Sequence, residues 1–194
     1  SPSNEYADTP LAMSFRNGSV FMMDEMDNAT GNCLVTLNTM LANDSYAFPD
    51  PKHLEPQQAH EDFIFLGCGN TCGSGSSPQF PNRHRFDSSF ADRFCFIYWG
   101  YDKKCEQAIT LHKAKHFGVD DDIALEFLQY VWKVREYCET SHPEILVSPR
   151  TSFVGVEFLS LRDMTQEQAM IDLVFKTTDE ATARDIIEAV KDGA

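Results

Sequence analysis

Apolar residues come in short unbroken runs along the first half of this chain and at helical spacing along the second, and the change falls near Gly100. Val20-Phe21-Met22-Met23 is the first run, bounded by Gly18 and Asp24; Phe63 to Leu66 is the second and Phe94 to Trp99 the third. Runs without polar alternation predict strands buried on both faces of a parallel sheet covered by helices. Between the first two, Cys33, Leu34, Leu37, Met40 and Leu41 recur with the period of an amphipathic helix. Asn43 to Glu61 is polar and holds three prolines, which predicts a loop with room for a small hairpin. The β-α-β rhythm implies an α/β layer with a right-handed crossover.

The second half predicts a small helical bundle. Tyr101 to Phe117 carries Cys105, Ile109 and His112 on one face and stops at Gly118. Asp120 to Asp122 offer caps for a helix with Ile123, Phe127 and Val131 inward, beside Ala124 and Leu128. Ser148-Pro149 is a cap followed by a first-turn proline, opening a helix through Phe153, Val156 and Leu161. Thr165 and Gln168 have the spacing of a capping box before Ala169 and Leu173, and a last helix runs from Glu180 to Lys191. The fold class is therefore α/β, a partial parallel sheet with flanking helices followed by a carboxyl-terminal helical bundle. The expected domains are 1–100 and 101–194.

Composition narrows the function classes. The 194 residues are 42% hydrophobic and 24% charged, which excludes a disordered tail or a disulfide-stapled miniprotein. Acids outnumber bases by 30 to 16, for a net charge of −14 that disfavours nucleic acid and anionic lipid as partners. There is no apolar stretch of about 18 residues to span a membrane, and SPSNEYADTP lacks the features of a signal peptide. Six scattered cysteines read as free thiols of a cytoplasmic protein; Cys68 and Cys72 lack the partners of a zinc site, and the six histidines share no ligand spacing.

The candidate chemistry begins in Gly18 to Ala29, where the first strand ends in Asp24 and Glu25. Ligand sites of open α/β sheets gather at the carboxyl ends of strands. Two acids there can divide labour, one holding Mg²⁺ and the other polarising an attacking water. Asn70 comes just after the second run, so neighbouring strands would set it beside these acids. Arg93 stands directly ahead of the third run, and Arg150 lies in a first helical turn, where the helix dipole favours an anionic partner over a cation. Each pattern also has an ordinary reading: acids that start a loop, an asparagine in a turn, solvated arginines.

In their order these segments resemble an AAA+ ATPase. GSVFMMDEMDNA resembles the Walker B strand, GCGNT the sensor 1 strand end, FDSSFADRF the arginine-finger helix and SPRT the sensor 2 helix. CGNTCGSGSS together with FPNRHRFDSSFADRF is most similar to the MoxR-like and cobalt-chelatase ATPase branch, also grouped with dynein-related AAA domains. The resemblance covers about residues 10–176. It implies a partial P-loop NTPase sheet with a helical lid, and ATP and Mg²⁺ as cofactors. It implies that Asp24 binds Mg²⁺, Glu25 acts as base, Asn70 senses the γ-phosphate, Arg93 enters a neighbour's site and Arg150 touches nucleotide in its own subunit; either Arg83 or Arg85 is a further candidate for contact with the neighbour. It also implies a ring, commonly a hexamer, and a von Willebrand factor A-type protein as a partner.

One departure stands out: no G-x-x-x-x-G-K-[ST] occurs in the chain, and the glycines from Gly67 to Gly75 come after the wrong strand and lack the lysine. The expectation is a fragment of a longer ATPase rather than a degenerate or split one, with no useful ATP affinity by itself. The family's phosphate-loop strand lies inside the sheet, so exposed edges, an uncovered apolar face and self-association are expected as well. The alternative from another class is a non-catalytic AAA-like module that docks on a complete ATPase and supplies an arginine finger in trans.

Overall fold

Thr9 accepts a hydrogen bond from the Ala12 N–H and Pro10 pre-sets the first turn, so α1 (Pro10–Asn17) starts on a capped backbone. Hydrophobic spacing predicts no helix here, although Thr9-Pro10 carries the same signal as Ser148-Pro149. The computed structural model describes residues 6–161, 163–191 and 193. These form two compact units, one ending at Ile97 and the other starting at Tyr98.

In the first unit β1 (Val20–Met23) pairs parallel with β4 (Ile64–Gly67), Val20 opposite Ile64 and Met23 opposite Gly67. The connection between them runs through a 3-10 turn (Met26–Asn28) and α2 (Gly31–Asn43), which Thr30 caps through the Cys33 N–H. Two short strands, β2 (Ser45–Tyr46) and β3 (Gln57–Gln58), then pair antiparallel across the proline-rich loop. Arg16 at the end of α1 ties this hairpin down: it bonds Gln57 and Asp50 and lies over the Phe48 ring. Phe15, Leu37, Met40, Phe86 and Phe90 form the core, with Met23 and Phe65 of the sheet packed on it. The unit is thus mixed α/β with a small parallel sheet, compatible with a partial AAA+ fold.

Two expectations about the sheet need correction. Only one face is covered: Val20, Met22, Ile64 and Leu66, in register on the other, are 54%, 61%, 52% and 46% exposed. The third run forms no strand. Phe94 packs on Phe65 and Phe90, but Phe96, Ile97, Tyr98 and Trp99 are exposed and pair with no strand. An apolar run becomes a strand only when a neighbour accepts its backbone hydrogen bonds, and among the described residues none does. The uncovered face and open edges favour association. The purified chain is expected to show concentration-dependent association in sedimentation velocity, and Met22→Lys with Leu66→Lys to shift it toward monomer. A monomer at all concentrations would contradict this.

The second unit is helical among its described residues: α4 (Lys103–Phe117), α5 (Asp121–Ser141), α6 (Pro149–Leu159), α7 (Gln166–Leu173) and α8 (Glu180–Lys191), preceded by α3 (Ser88–Ala91) in the first unit. Asp102, Asp120 and Thr165 cap α4, α5 and α7. Thr165 accepts the Gln168 N–H, but the Gln168 side chain bonds Asp172 rather than completing a capping box. Phe127, Val131, Val156, Met170 and Ile186 form the core. A Cβ at Gly155 would lie 2.1 Å from the Phe127 ring, so glycine alone lets α6 approach α5 this closely.

Here too the expected faces shift. Ile123 is exposed rather than inward, and Leu161 lies past the end of α6 and is exposed. On α4 the buried face is Glu106, Thr110 and Ala114, while Cys105, Ile109 and His112 face water. A buried Glu106 is tolerable because Arg135, Trp132 and Ser152 all donate to it. No helix among the described residues is long and apolar enough to cross a membrane.

Candidate functional site

Parallel strands bring their carboxyl ends to one edge, so the residues after β1 and β4 meet there. The junction is stitched by main-chain bonds: the Cys68 N–H donates to the Met23 carbonyl and the Met26 N–H to the Cys68 carbonyl, both 2.8 Å. Asp24 is exposed, and its Oδ1 accepts the Glu25 N–H at 2.9 Å. Glu25 is exposed too and has left-handed backbone, φ 50° and ψ 39°. A non-glycine residue there costs about 1–2 kcal/mol, which the surrounding bonds must offset. Asn70 is exposed on the loop after β4, and its side-chain amide makes no hydrogen bond among the described residues. The structure therefore collects Asp24, Glu25 and the Asn70 loop at one strand edge.

The residue that holds this edge together is one that motif and spacing did not single out. Asp27 is fully buried, and its Oδ2 accepts three hydrogen bonds: from the Asn70 N–H (3.0 Å), the Thr71 N–H (2.9 Å) and the Thr71 hydroxyl (2.8 Å). A Cβ at Gly69 would lie 3.0 Å from the Asp27 carboxyl carbon, so a larger residue there would require the Asp27 carboxylate to shift by a few tenths of an ångström. Arg83 makes the second contact that spacing did not reveal. Its Nη1 lies 3.4 Å from Glu25 Oε2 and 3.7 Å from Asp27 Oδ1, and its guanidinium stands over the Phe80 ring. The available signal was a third acid within four positions and no basic residue close by in sequence.

Arg93 is not gathered with these groups. Arg93 is exposed just past α3, whose amino terminus is capped by Asp87, and its Nε donates to Asn38 of α2. Hydrogen bonds from the Ser89 hydroxyl and the Phe90 N–H hold the Asp87 carboxyl below the usual carboxylate range. Arg150 belongs to the other unit. It is exposed in the first turn of α6 and lines a cleft there with Lys176, Thr178 and Asp179.

Mg²⁺ takes hard oxygen donors, commonly one or two carboxylates completed by water and phosphate oxygens. Asp24 and Glu25 fit such an open site; among the described residues no three His, Cys, Asp or Glu side chains converge into a closed one. The glycine-rich stretch after β4 does not fit a phosphate cradle. The Asn70 and Thr71 N–H groups are engaged by Asp27, and the Ser74 N–H by the Thr71 carbonyl. All six cysteines are free thiols, and burial pushes the Cys138 thiol up to about 11.

Residues 2–94 match the family model of the AAA domain, dynein-related subfamily, which supports an AAA+ ATPase. Proteins of this family typically bind ATP with Mg²⁺ and commonly assemble into rings. The second unit lies outside the match. None of the curated proteins compared matches the chain.

Proposed function

We propose that this protein is an ATP-hydrolysing AAA+ remodelling ATPase of the MoxR-like kind, whose first unit carries the carboxylate edge of the nucleotide site. The observation that carries the reading is the joining of Asp24, Glu25 and the Asn70 loop at the carboxyl ends of two parallel strands. Asp24 offers oxygen to Mg²⁺. Glu25 accepts a proton from the attacking water, which the Asn70 amide orients. Bound Mg²⁺ supplies neutralising charge on the phosphate oxygens. Arg93, exposed and braced by Asn38, serves the site of a neighbouring subunit, and Arg150 contacts nucleotide in its own.

The phosphate cradle is supplied from outside the residues described, because the glycine-rich loop here lacks the phosphate-loop lysine and has its Asn70, Thr71 and Ser74 N–H groups engaged. Residues 1–100 form the carboxyl-terminal part of the α/β ATPase core and 101–194 the lid. The working form is a cytoplasmic ring, with a von Willebrand factor A-type protein as its partner.

Glu25→Gln tests the reading in the protein as its source makes it. Removing a general base slows ATP hydrolysis by about 10²–10⁴-fold; nucleotide affinity should be kept, measured by fluorescent-nucleotide titration. Undiminished hydrolysis would overturn it. The exposure of Arg93, with its bond to Asn38 rather than to its own carboxylates, also suits a non-catalytic module acting on a complete ATPase. In that case Glu25→Gln is silent and Arg93→Ala slows the ATPase partner.

A further inference from the structure

We infer that Asp27 and Arg83 are positioning residues that tie the Glu25 carboxylate to the loop bearing Asn70, an assignment that rests on the reading of Glu25 as the base. Burying a carboxylate is costly unless its oxygens are bonded or paired. Asp27 Oδ2 meets that demand with three donors from Asn70 and Thr71, while Oδ1 is buried and accepts no hydrogen bond from the described residues. The charge that faces Oδ1 is Arg83 Nη1 at 3.7 Å. The same nitrogen reaches Glu25 Oε2 at 3.4 Å, so one guanidinium serves a buried acid and an exposed one.

The segment that carries Arg83 is itself fixed to Asp27. The His84 N–H donates to the Asp27 carbonyl at 2.8 Å, the Ser76 hydroxyl donates to the Arg83 carbonyl at 3.2 Å, and the Phe80 ring lies under the guanidinium. With its side chain only 11% exposed, Arg83 has little freedom to point elsewhere. The two groups assigned to one water molecule, Glu25 and Asn70, thereby share a scaffold: Asp27 holds the Asn70 main chain, and Arg83, set against Asp27, holds the Glu25 side chain. Reactivity is sensitive to such placement, since about 1 Å of misplacement can cost on the order of 10²-fold in rate.

The test compares Arg83→Met, Arg83→Lys, Asp27→Asn and Glu25→Gln in the protein as its source makes it, with ATP and Mg²⁺ under single-turnover and steady-state conditions. Arg83→Met should lower kcat by about 10–10²-fold with KM for ATP unchanged. Arg83→Lys should restore part of the rate, and Arg83→Met should cause no further loss in the Glu25→Gln background. Independently of activity, Asp27→Asn should speed amide hydrogen exchange at Asn70 and Thr71 by about tenfold or more, as expected for weakening hydrogen bonds to a charged acceptor. Unchanged exchange would overturn the role of Asp27. An unchanged kcat in Arg83→Met, or an equal loss with and without Glu25, would overturn that of Arg83. If Glu25→Gln is inactive while Arg83→Met is fully active, the positioning assignment alone falls; if Glu25→Gln is fully active, the base assignment falls and takes this one with it.

Discussion

Arg93→Ala is expected to slow ATP hydrolysis by about 10³–10⁵-fold, the range for loss of an arginine that stabilises charge on the transferring phosphoryl group. The reason lies in where the residue sits. Arg93 is exposed beyond α3 and braced by Asn38, while the adjacent Phe94 is clamped between Phe65 and Phe90. A guanidinium so mounted is pre-organised, presented outward and, among the described residues, in no ion pair with a carboxylate, an arrangement that suits a group acting on a neighbour. Mixing variants discriminates trans from cis action. An Arg93→Ala subunit keeps Glu25, and a Glu25→Gln subunit keeps Arg93, so their shared interface holds one intact site. Mixed assemblies should regain measurable hydrolysis that neither variant shows by itself. If no mixture regains activity, Arg93 does not act across a subunit boundary.

Arg135→Ala should destabilise the helical unit by about 3–5 kcal/mol, the cost of leaving a buried charge without its partner. Arg135 grips Glu106 with both terminal nitrogens, at 2.9 and 2.7 Å, and its Nε donates to the Val147 carbonyl at 2.7 Å. Trp132 and Ser152 complete the shell around Glu106, so one carboxylate joins α4, α5 and α6. Urea unfolding monitored by circular dichroism measures the loss. Replacing both members, Glu106→Leu with Arg135→Met, should cost far less, because no orphaned charge remains; an equal loss would show that volume rather than charge is at stake.

The same network sets a pH response. Burial by itself raises the Glu106 carboxyl pKa, but hydrogen bonds from Arg135, Ser152 and Trp132 outweigh it, and the net shift is below the usual 4.5. A group with a depressed folded-state pKa contributes stability above its unfolded value and loses it as pH falls through the folded one. The contribution of this group to the urea midpoint should therefore be flat from neutral pH to about 4.5 and decline below it, and Glu106→Gln should remove that part of the decline.

The residues whose placement depends on near neighbours were legible in the chain itself. The runs around Val20 and Ile64 became β1 and β4, the periodic stretch from Cys33 became α2, and Asp120 and Thr165 capped the helices that start beside them. Placing Asp24 and Glu25 at the end of a parallel strand needed only the rule that strand ends share an edge. Three matters were settled by tertiary structure alone. Whether Phe94 to Trp99 became a strand depended on a partner for its backbone, and none among the described residues takes that place. Which side of α4 faced inward was decided by Arg135, 29 residues from Glu106, and the apolar look of Cys105 and Ile109 pointed to the wrong side. The junction of Asp27 with Thr71 and Arg83 reaches 44 and 56 residues along the chain and links segments that no periodicity connects. Hydrophobic spacing reports which surface a segment can bury against its surroundings. A buried charge is tolerated only where the folded backbone delivers an opposite charge or a set of donors, and that delivery is a property of three dimensions.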